Sequence, residues 1–471
     1  MHVLKKIYLV NYYLFKRTIS LSVFFIIFIS FKLNIYLSFL KNYYLIYIYE
    51  LNLKGNYNLS KEISNFFILK KGKDFFNFYF LNAYFHNNGM KDYERNINEN
   101  FLAYQKIVKK ILKLEKTIVI SPDYFKKFGH FAFISLFIKA IKLNLLKENK
   151  ILIVGPVEKH NKFLLKKFLE FKEVDFIDKK DLDKKIRNNL NIVNTYFDLI
   201  ELNNQKVDLY QFLNYVSKKW NKKYKNNFVS LSKKEIIFVE NFLLKKGFNV
   251  KKNWFILIHV RSNLSENIDS NRNSDILKYE KAIRFITSKK GYVIRIGDKS
   301  MKKFKELKNF IDLTQDNEQS KILLYLYSHA KFFIVTASGP GALTTLFKNP
   351  SIHTDYGPIY DIGAKENDFL LPKMYYRNNK LLNYKERIKS VYGKNISPSF
   401  LEKNKIKSKN SSELEILEAT KELYYRVISK RIKKDSSLRK LVKKEFSNNQ
   451  VLPLNISSII EKNYRGFFYE K

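Results

Sequence analysis

Cysteine is absent from all 471 residues, which excludes disulfides, thiolate-held zinc, iron–sulfur clusters and a cysteine nucleophile. Histidine is scarce, with seven in the chain, and no H-E-x-x-H or similarly tight pair offers a metal scaffold. Acidic residues are outnumbered, 44 against 87 lysines and arginines, for a formal charge of +43. No G-x-x-x-x-G-K-[ST] loop is present, which disfavours a P-loop ATPase or kinase, and no G-x-G-x-x-G, which weakens a dinucleotide fold. No Lys/Arg block stands beside an aromatic RNA platform.

The positive charge would suit nucleic acid, an anionic membrane surface or a phosphorylated substrate. It runs along the whole chain together with Asn, Ile, Phe and Tyr, as AT-rich coding favours. We therefore read it as compositional, with nucleic acid an unlikely partner and adhesion to an anionic membrane surface as a side effect. "DLD", Asp181 to Asp183, imitates a metal clamp but lies among lysines on a solvated helix.

The one long apolar run is "ISLSVFFIIFISF", Ile19 to Phe31, preceded by Lys5, Lys6, Lys16 and Arg17. It is shorter than the ~20 residues that cross a bilayer, and extending it to Leu40 admits Lys32 and Asn34. An interfacial or buried helix is favoured over a transmembrane anchor. The expected location is the cytoplasm, peripheral to or anchored in the inner membrane.

Residues 1–50 form this apolar segment, and 51–115 read as a helical region. Alternation then begins. "TIVIS", "ILIVG" and "VDFID" are strand-like, with helices over His130–Leu146 and from Lys159, inside a first lobe at 116–245 whose second half looks mostly helical. A clearer series fills 246–396. Strands are expected at Trp254–Val260, Tyr292–Ile296, Ile311–Thr314, Lys331–Thr336 and Ser351–Thr354, separated by helices that include "SMKKFKELKNF" and one capped by Asp316 and Gln319. A helical tail follows at 397–471, with a Ser412 to Glu415 cap. The expected fold class is α/β, with two Rossmann-like doubly wound lobes, a helical N-terminal region and a helical C-terminal tail.

Ligands of open α/β sheets bind beyond the carboxyl ends of the strands. In the second lobe that rim collects His259 and Arg261, Arg295 and Asp298, the "ASGPGA" turn with Ser338, Gly339 and Gly341, and Asp355 to Gly357. The turn reads equally as ordinary punctuation or as a phosphate cradle. Arginine is rare here beside lysine, and its planar fork grips two phosphate oxygens at once. Arg261 and Arg295 together therefore favour an anionic ligand, although either alone could serve a structural salt bridge. His259 shapes the site, Arg272 reaches over the ligand or closes the loop, and Asp275 caps the helix from Ile276. Bottom-up, the reading ends at a phosphate-bearing ligand in an interlobe cleft.

In order, "LIHVR", "RNSDILKYEKAIRFITSKKGYVIRIGD", "FFIVTASGPGALTTLF" and "NPSIHTDYGPI" resemble a family of bacterial glycosyltransferases. Its members share an H-V-R strand end, an R-N-x-D-I loop, a V-I-R-x-G-D strand end and an S-G turn. The similarity covers roughly residues 100 to 425 and takes in "KKFGHFAFISLFIKAIKL", "KHNKFLL" and "NSSELEILEATKEL". The resemblance implies a two-lobed GT-B-like transferase, distantly fucosyltransferase-like, that uses a nucleotide-sugar donor and a glycan or lipid-linked glycan acceptor in surface polysaccharide assembly. It implies that Arg261 holds the donor diphosphate, with Ser338 and Gly339 as the second phosphate contact. Pro340 removes one N–H from that cradle. Direct displacement by an acceptor hydroxyl then needs a general base if configuration inverts, with Glu366, Asp361, Asp123 and His130 as candidates. No cofactor or metal is expected. The competing classes are a basic nucleic-acid-binding protein and a noncatalytic membrane-associated assembly protein.

Overall fold

The computed structural model describes residues 26, 29, 102, 105–122, 128–195, 199–202, 205–224, 226–262, 271–316, 318–357, 365, 367–389, 401–402, 404–431, 436–437, 440 and 455–468. The apolar segment 19–40 lies outside this set apart from Ile26 and Ile29, as does most of 51–115. Among the described residues no helix is long and apolar enough to cross a membrane. The chain divides into two compact units, 1–113 with 185–193, and 114–184 with 194–471. The second unit holds all four sheets described below.

Its first sheet is parallel, in the order β1 (Thr117–Ile120), β2 (Lys150–Gly155), β3 (Val174–Asp178). Helix α1 (Phe128–Lys142) follows β1 and α2 (Lys162–Phe168) follows β2. Within 181–245, read from sequence as mostly helical, an antiparallel hairpin intervenes, β4 (Leu199–Leu202) with β5 (Gln205–Asp208). Helices α3 (Leu209–Lys223) and α4 (Lys233–Lys245) come next. Short apolar runs carry too little periodicity to separate strand from helix, which is why the hairpin was illegible.

The second sheet opens with β6 (Phe255–His259), whose five residues are all buried. Such an unbroken apolar run marks a parallel strand covered on both faces. The chain continues through α5 (Glu280–Ser288), β7 (Tyr292–Arg295), β8 (Phe310–Asp312), α6 (Gln319–His329), β9 (Phe333–Val335), α7 (Gly339–Leu343), β10 (Ser351–Tyr356) and β11 (Phe369–Pro372). A small antiparallel sheet of β12 (Met374–Arg377), β13 (Lys380–Leu381) and β14 (Ile406–Lys409) follows, then α8 (Glu413–Val427). The tail is not wholly helical: besides β14, β15 (Asn455–Ile456) joins the edge of the main sheet. The order is β15-β11-β10-β9-β6-β7-β8, with every pairing parallel. From β8 to β11 this is the doubly wound arrangement, with its switch point between β6 and β9.

Alternate residues face opposite ways. Leu257, Ile294, Phe333 and Val335 join a core that runs on to Phe137, Phe131 and Ile118 of the first sheet's layer. Ile256, Ile258, Val293 and Ile334 pack with Ile283, Ile286 and Leu423. Two local expectations are corrected. "SMKKFKELKNF" forms turns and irregular chain; Phe304 and Leu307 pack onto the second core without helical backbone, so tertiary packing outweighs propensity. Gln319 makes no capping box with Asp316. Its amide instead accepts from Gly297 N (2.8 Å) and donates to Gly297 O (2.6 Å), a two-bond clasp on the end of β7. The Ser412–Glu415 box, by contrast, is present with both bonds.

Candidate functional site

The connections after β6 and β9 meet at the switch point, and backbone and side chains tie them together. Arg261 N donates to Thr336 Oγ1 at 2.9 Å. Arg272 donates from Nε and Nη2 to Ala337 O, at 3.2 and 3.0 Å. Arg261 Nε donates to Asn273 Oδ1 at 3.3 Å, while Ser274 N donates to Arg261 O at 2.8 Å. Asn273 and Ser274 thus hold Arg261 from its side chain and from its carbonyl.

The segment is in turn anchored from below. Asn271 Nδ2 donates to Tyr375 OH at 3.1 Å, and Lys373 Nζ donates to Asn271 O. Asn410 Nδ2 donates to Asn273 O at 3.2 Å. Ser274 Oγ donates to the Asp355 carboxylate, whose other oxygen accepts from Ser411 N at 2.6 Å. Asp355 is fully buried, has φ +50° and sits at a register shift of β10. A non-glycine residue in that region costs about 1 kcal/mol or more, which the carboxylate's bonds offset. Burial lowers the Lys373 ammonium to about 8, against the opposing pull of Asp355. Tyr279, donor or acceptor to Thr354 Oγ1 at 2.7 Å, has its phenol pushed up by burial and by Asp355.

His259 is buried at the end of β6, with Nδ1 3.1 Å from Ile296 O. Desolvation carries its pKa down to about 4; the Ile296 hydrogen bond and Asp298 oppose the shift, while Arg295 and Arg261 reinforce it. At neutral pH the ring is uncharged and serves as packing and a strut between strand ends.

The rim residues named from sequence take different places. Arg261 and Arg272 are partly exposed, and Arg272 is committed to the Ala337 carbonyl. Arg295 is wholly buried; its Nη1 donates to Asp312 Oδ2 at 2.8 Å, and its Nε and Nη2 have no hydrogen-bond partner among the described residues. Asp275 caps the 3₁₀ turn Ile276–Tyr279 through Leu277 N. Asp298 is exposed and accepts from Ser300 N at 2.9 Å, closing its own turn. Ser338 is the N-cap of α7: its Oγ accepts from Gly341 N (3.1 Å) and donates to Thr336 O (3.0 Å). Gly341 lies where a Cβ would come within 2.9 Å of Thr336 O. Gly129 abuts Gly339 so closely that a Cβ would meet Gly339 Cα at 2.7 Å, which sets His130 one residue from the turn. Asp123, Asp361 and Glu366 lie outside the described residues.

Sequence reading missed the lysines beneath the turn. Lys139 Nζ on α1 donates to Thr345 O (2.7 Å), and Lys365 Nζ to Thr344 O (3.1 Å). Both amino groups complete the carboxyl end of the α7 turn, where helix carbonyls lack partners. Burial, with Lys365 nearby, brings Lys139 down to about 7. In a chain so rich in lysine, nothing in the residue type singles these two out. Among the described residues no cluster of three or more His, Asp or Glu could hold a metal ion.

No family model matches the chain, and no curated protein matches it. Solved structures with similarity include the E. coli ADP-heptose lps heptosyltransferase II, at 9% identity over 56% of this chain and 92% of that one, TM-score 0.36. A glycosyl transferase family 9 protein from Veillonella parvula shares 11% identity over 65% and 97%, TM-score 0.38. E. coli heptosyltransferase WaaC with ADP shares 10% over 61% and 98%, TM-score 0.28. At TM-scores below 0.5 these are distant structural likenesses and lend no chemistry to this chain.

Proposed function

We propose that the chain is a glycosyltransferase that moves a sugar from a nucleotide-sugar donor to a hydroxyl of a growing surface glycan. One observation carries the reading: at the switch point of a doubly wound sheet, Arg261 is bonded by Thr336 of the turn after β9 and by Asn273 and Ser274, while Arg272 ties that segment to the same turn. Such crevices are where open α/β sheets bind ligands, and a held guanidinium costs less ordering entropy when it grips a diphosphate. The ordered motifs resembling bacterial glycosyltransferases add the reaction class.

In this reading the acceptor oxygen forms a bond to the sugar's anomeric carbon as the bond to the nucleoside diphosphate breaks. Arg261 neutralises the departing diphosphate. The backbone of Ser338 and Gly339 lines the phosphate side; α7, only five residues long, adds little dipole. Arg272 and Asp355 position the site, and Arg295 supports the sheet edge. A base takes the hydroxyl proton, with His130 beside the turn and Asp123, Asp361 and Glu366 as the other candidates.

The test is thermal shift with ADP, GDP, UDP and CMP and their sugar conjugates, with and without chelator. Stabilisation by one nucleotide that disappears in Arg261→Ala, at unchanged ligand-free melting, supports the reading. Silence toward every nucleotide, alongside salt-steep binding of oligonucleotides, overturns it.

A further inference from the structure

Helix α4 presents an apolar stripe to solvent. Ile237 is 56% exposed, Phe238 44% and Leu244 56%. No other helix or strand among the described residues exposes three large apolar side chains. Their spacing puts all three on the outer side of the helix, around the exposed Asn241 and opposite the buried Val239 and Leu243. From Ile237 to Leu244 the stripe runs roughly 10 Å along the axis.

Lysines close both ends of the stripe. Lys233 and Lys234 stand exposed before it, Lys245 and Lys246 after it. The two carboxylates of the helix are turned to other cations: Glu235 pairs with the buried Lys167 at 2.9 Å, and Glu240 lies 3.5 Å from Lys251. The helix is a firm support, because Ser232 and Glu235 form a complete capping box and Lys246 bridges to Asp316 at 2.9 Å. An apolar centre with exposed lysines at each end, Lys233 and Lys234 before it and Lys245 after it, matches the boundary of an anionic bilayer, where the side chains enter the acyl layer and lysines reach phosphate headgroups. The net charge of +43 draws the whole chain toward such a surface.

We propose that α4 docks on an anionic lipid surface through Ile237, Phe238 and Leu244. The proposal stands independently of the transferase reading. A second copy of the chain would cover the same stripe without headgroup charge, and Lys233, Lys234 and Lys245 around it disfavour that occupant.

The absence of cysteine makes the test direct. The full chain carrying Phe238→Cys, or Leu244→Cys, is labelled with an environment-sensitive fluorophore; Lys289→Cys, at an exposed position on another element, is the control. Vesicles of phosphatidylglycerol with phosphatidylethanolamine are compared with phosphatidylcholine vesicles. The expected result is a blue shift and several-fold protection from iodide at positions 238 and 244, with anionic vesicles only, and no change at 289. In parallel, Ile237→Ser/Phe238→Ser/Leu244→Ser should weaken partitioning at least about tenfold. Vesicle binding that leaves the probe at 238 open to iodide would assign adhesion elsewhere, such as residues 19–40, and overturn the proposal. Protection without lipid that grows with protein concentration would assign the stripe to a second copy and overturn it too; protection without lipid at high dilution would mean that the chain itself covers the stripe, and would overturn it as well.

Discussion

Two connections leave neighbouring strands of one sheet, the first after β6 and the second after β7, and each begins beside an arginine. After β6, Arg261 lies beyond the strand, partly exposed; Asn273 and Ser274 bond it, and Arg272 and Ser274 carry the link on to the β9 turn and to Asp355. After β7, Arg295 is still within the ladder, opposite Asp312 on β8, and is sealed from solvent by its neighbours. The connection that follows closes on itself at Asp298, whose carboxylate accepts from Ser300 and whose carbonyl accepts from Met301 N. Arg295 pairs with Ile258, so three residues of register separate a side chain that can meet a ligand from one that braces a sheet edge. The same residue type in the same kind of motif therefore carries different work according to whether its neighbour is a loop or a strand.

Breaking the comparison should give unequal effects. Arg261→Ala should lower sugar transfer by at least about 100-fold while melting stays within about 2 °C of the parent; an assay with the donor identified by thermal shift measures both. Arg295→Met should do the reverse. Removing one partner of a buried ion pair costs about 3–5 kcal/mol, and the 24% exposure of the Asp312 side chain sets the expectation at about 3 kcal/mol in urea unfolding. Transfer per folded molecule should remain within a fewfold. A selective loss of transfer in Arg295→Met would merge the two roles.

His259 sharpens the comparison through pH. Its folded pKa is lowered to about 4, so the unfolded chain binds the proton first as pH falls. The associated stability is fully present above about pH 6.5 and is lost progressively toward pH 4, about 2 kcal/mol of it between pH 7 and 5. Urea unfolding of the parent and of His259→Gln at both pH values checks this, since the variant should lose that part of the slope. Asp298→Ala should be the mildest change, shifting melting by no more than about 2 °C and leaving transfer intact, as expected of an exposed turn residue.

Much of the fold was legible along the chain. Continuous apolar runs such as "FILIH" can bury both faces only inside a parallel sheet, and the helices between them demand crossovers. The rim was legible too, because strand direction alone sends Arg261, Ser338 and Asp355 to one edge. The bonding of that rim was not. Asn273 and Asn271 are two of many asparagines, and the buried lysines are indistinguishable in type from the solvated ones. The β15 strand, arriving from the tail, pairs Asn455 with Phe369, 86 residues earlier in sequence, which no local period encodes.

What the sequence determined by itself is the alternation of strands and helices and the edge at which arginine, glycine and serine collect, since both follow from side-chain periodicity and chain direction. Only the tertiary structure decided that Arg261 is clamped, that Arg295 is sealed against Asp312, and that Gln319 clasps Gly297 in place of capping its own helix. Those outcomes depend on which distant groups arrive within hydrogen-bond reach, and desolvation then makes each of them binding.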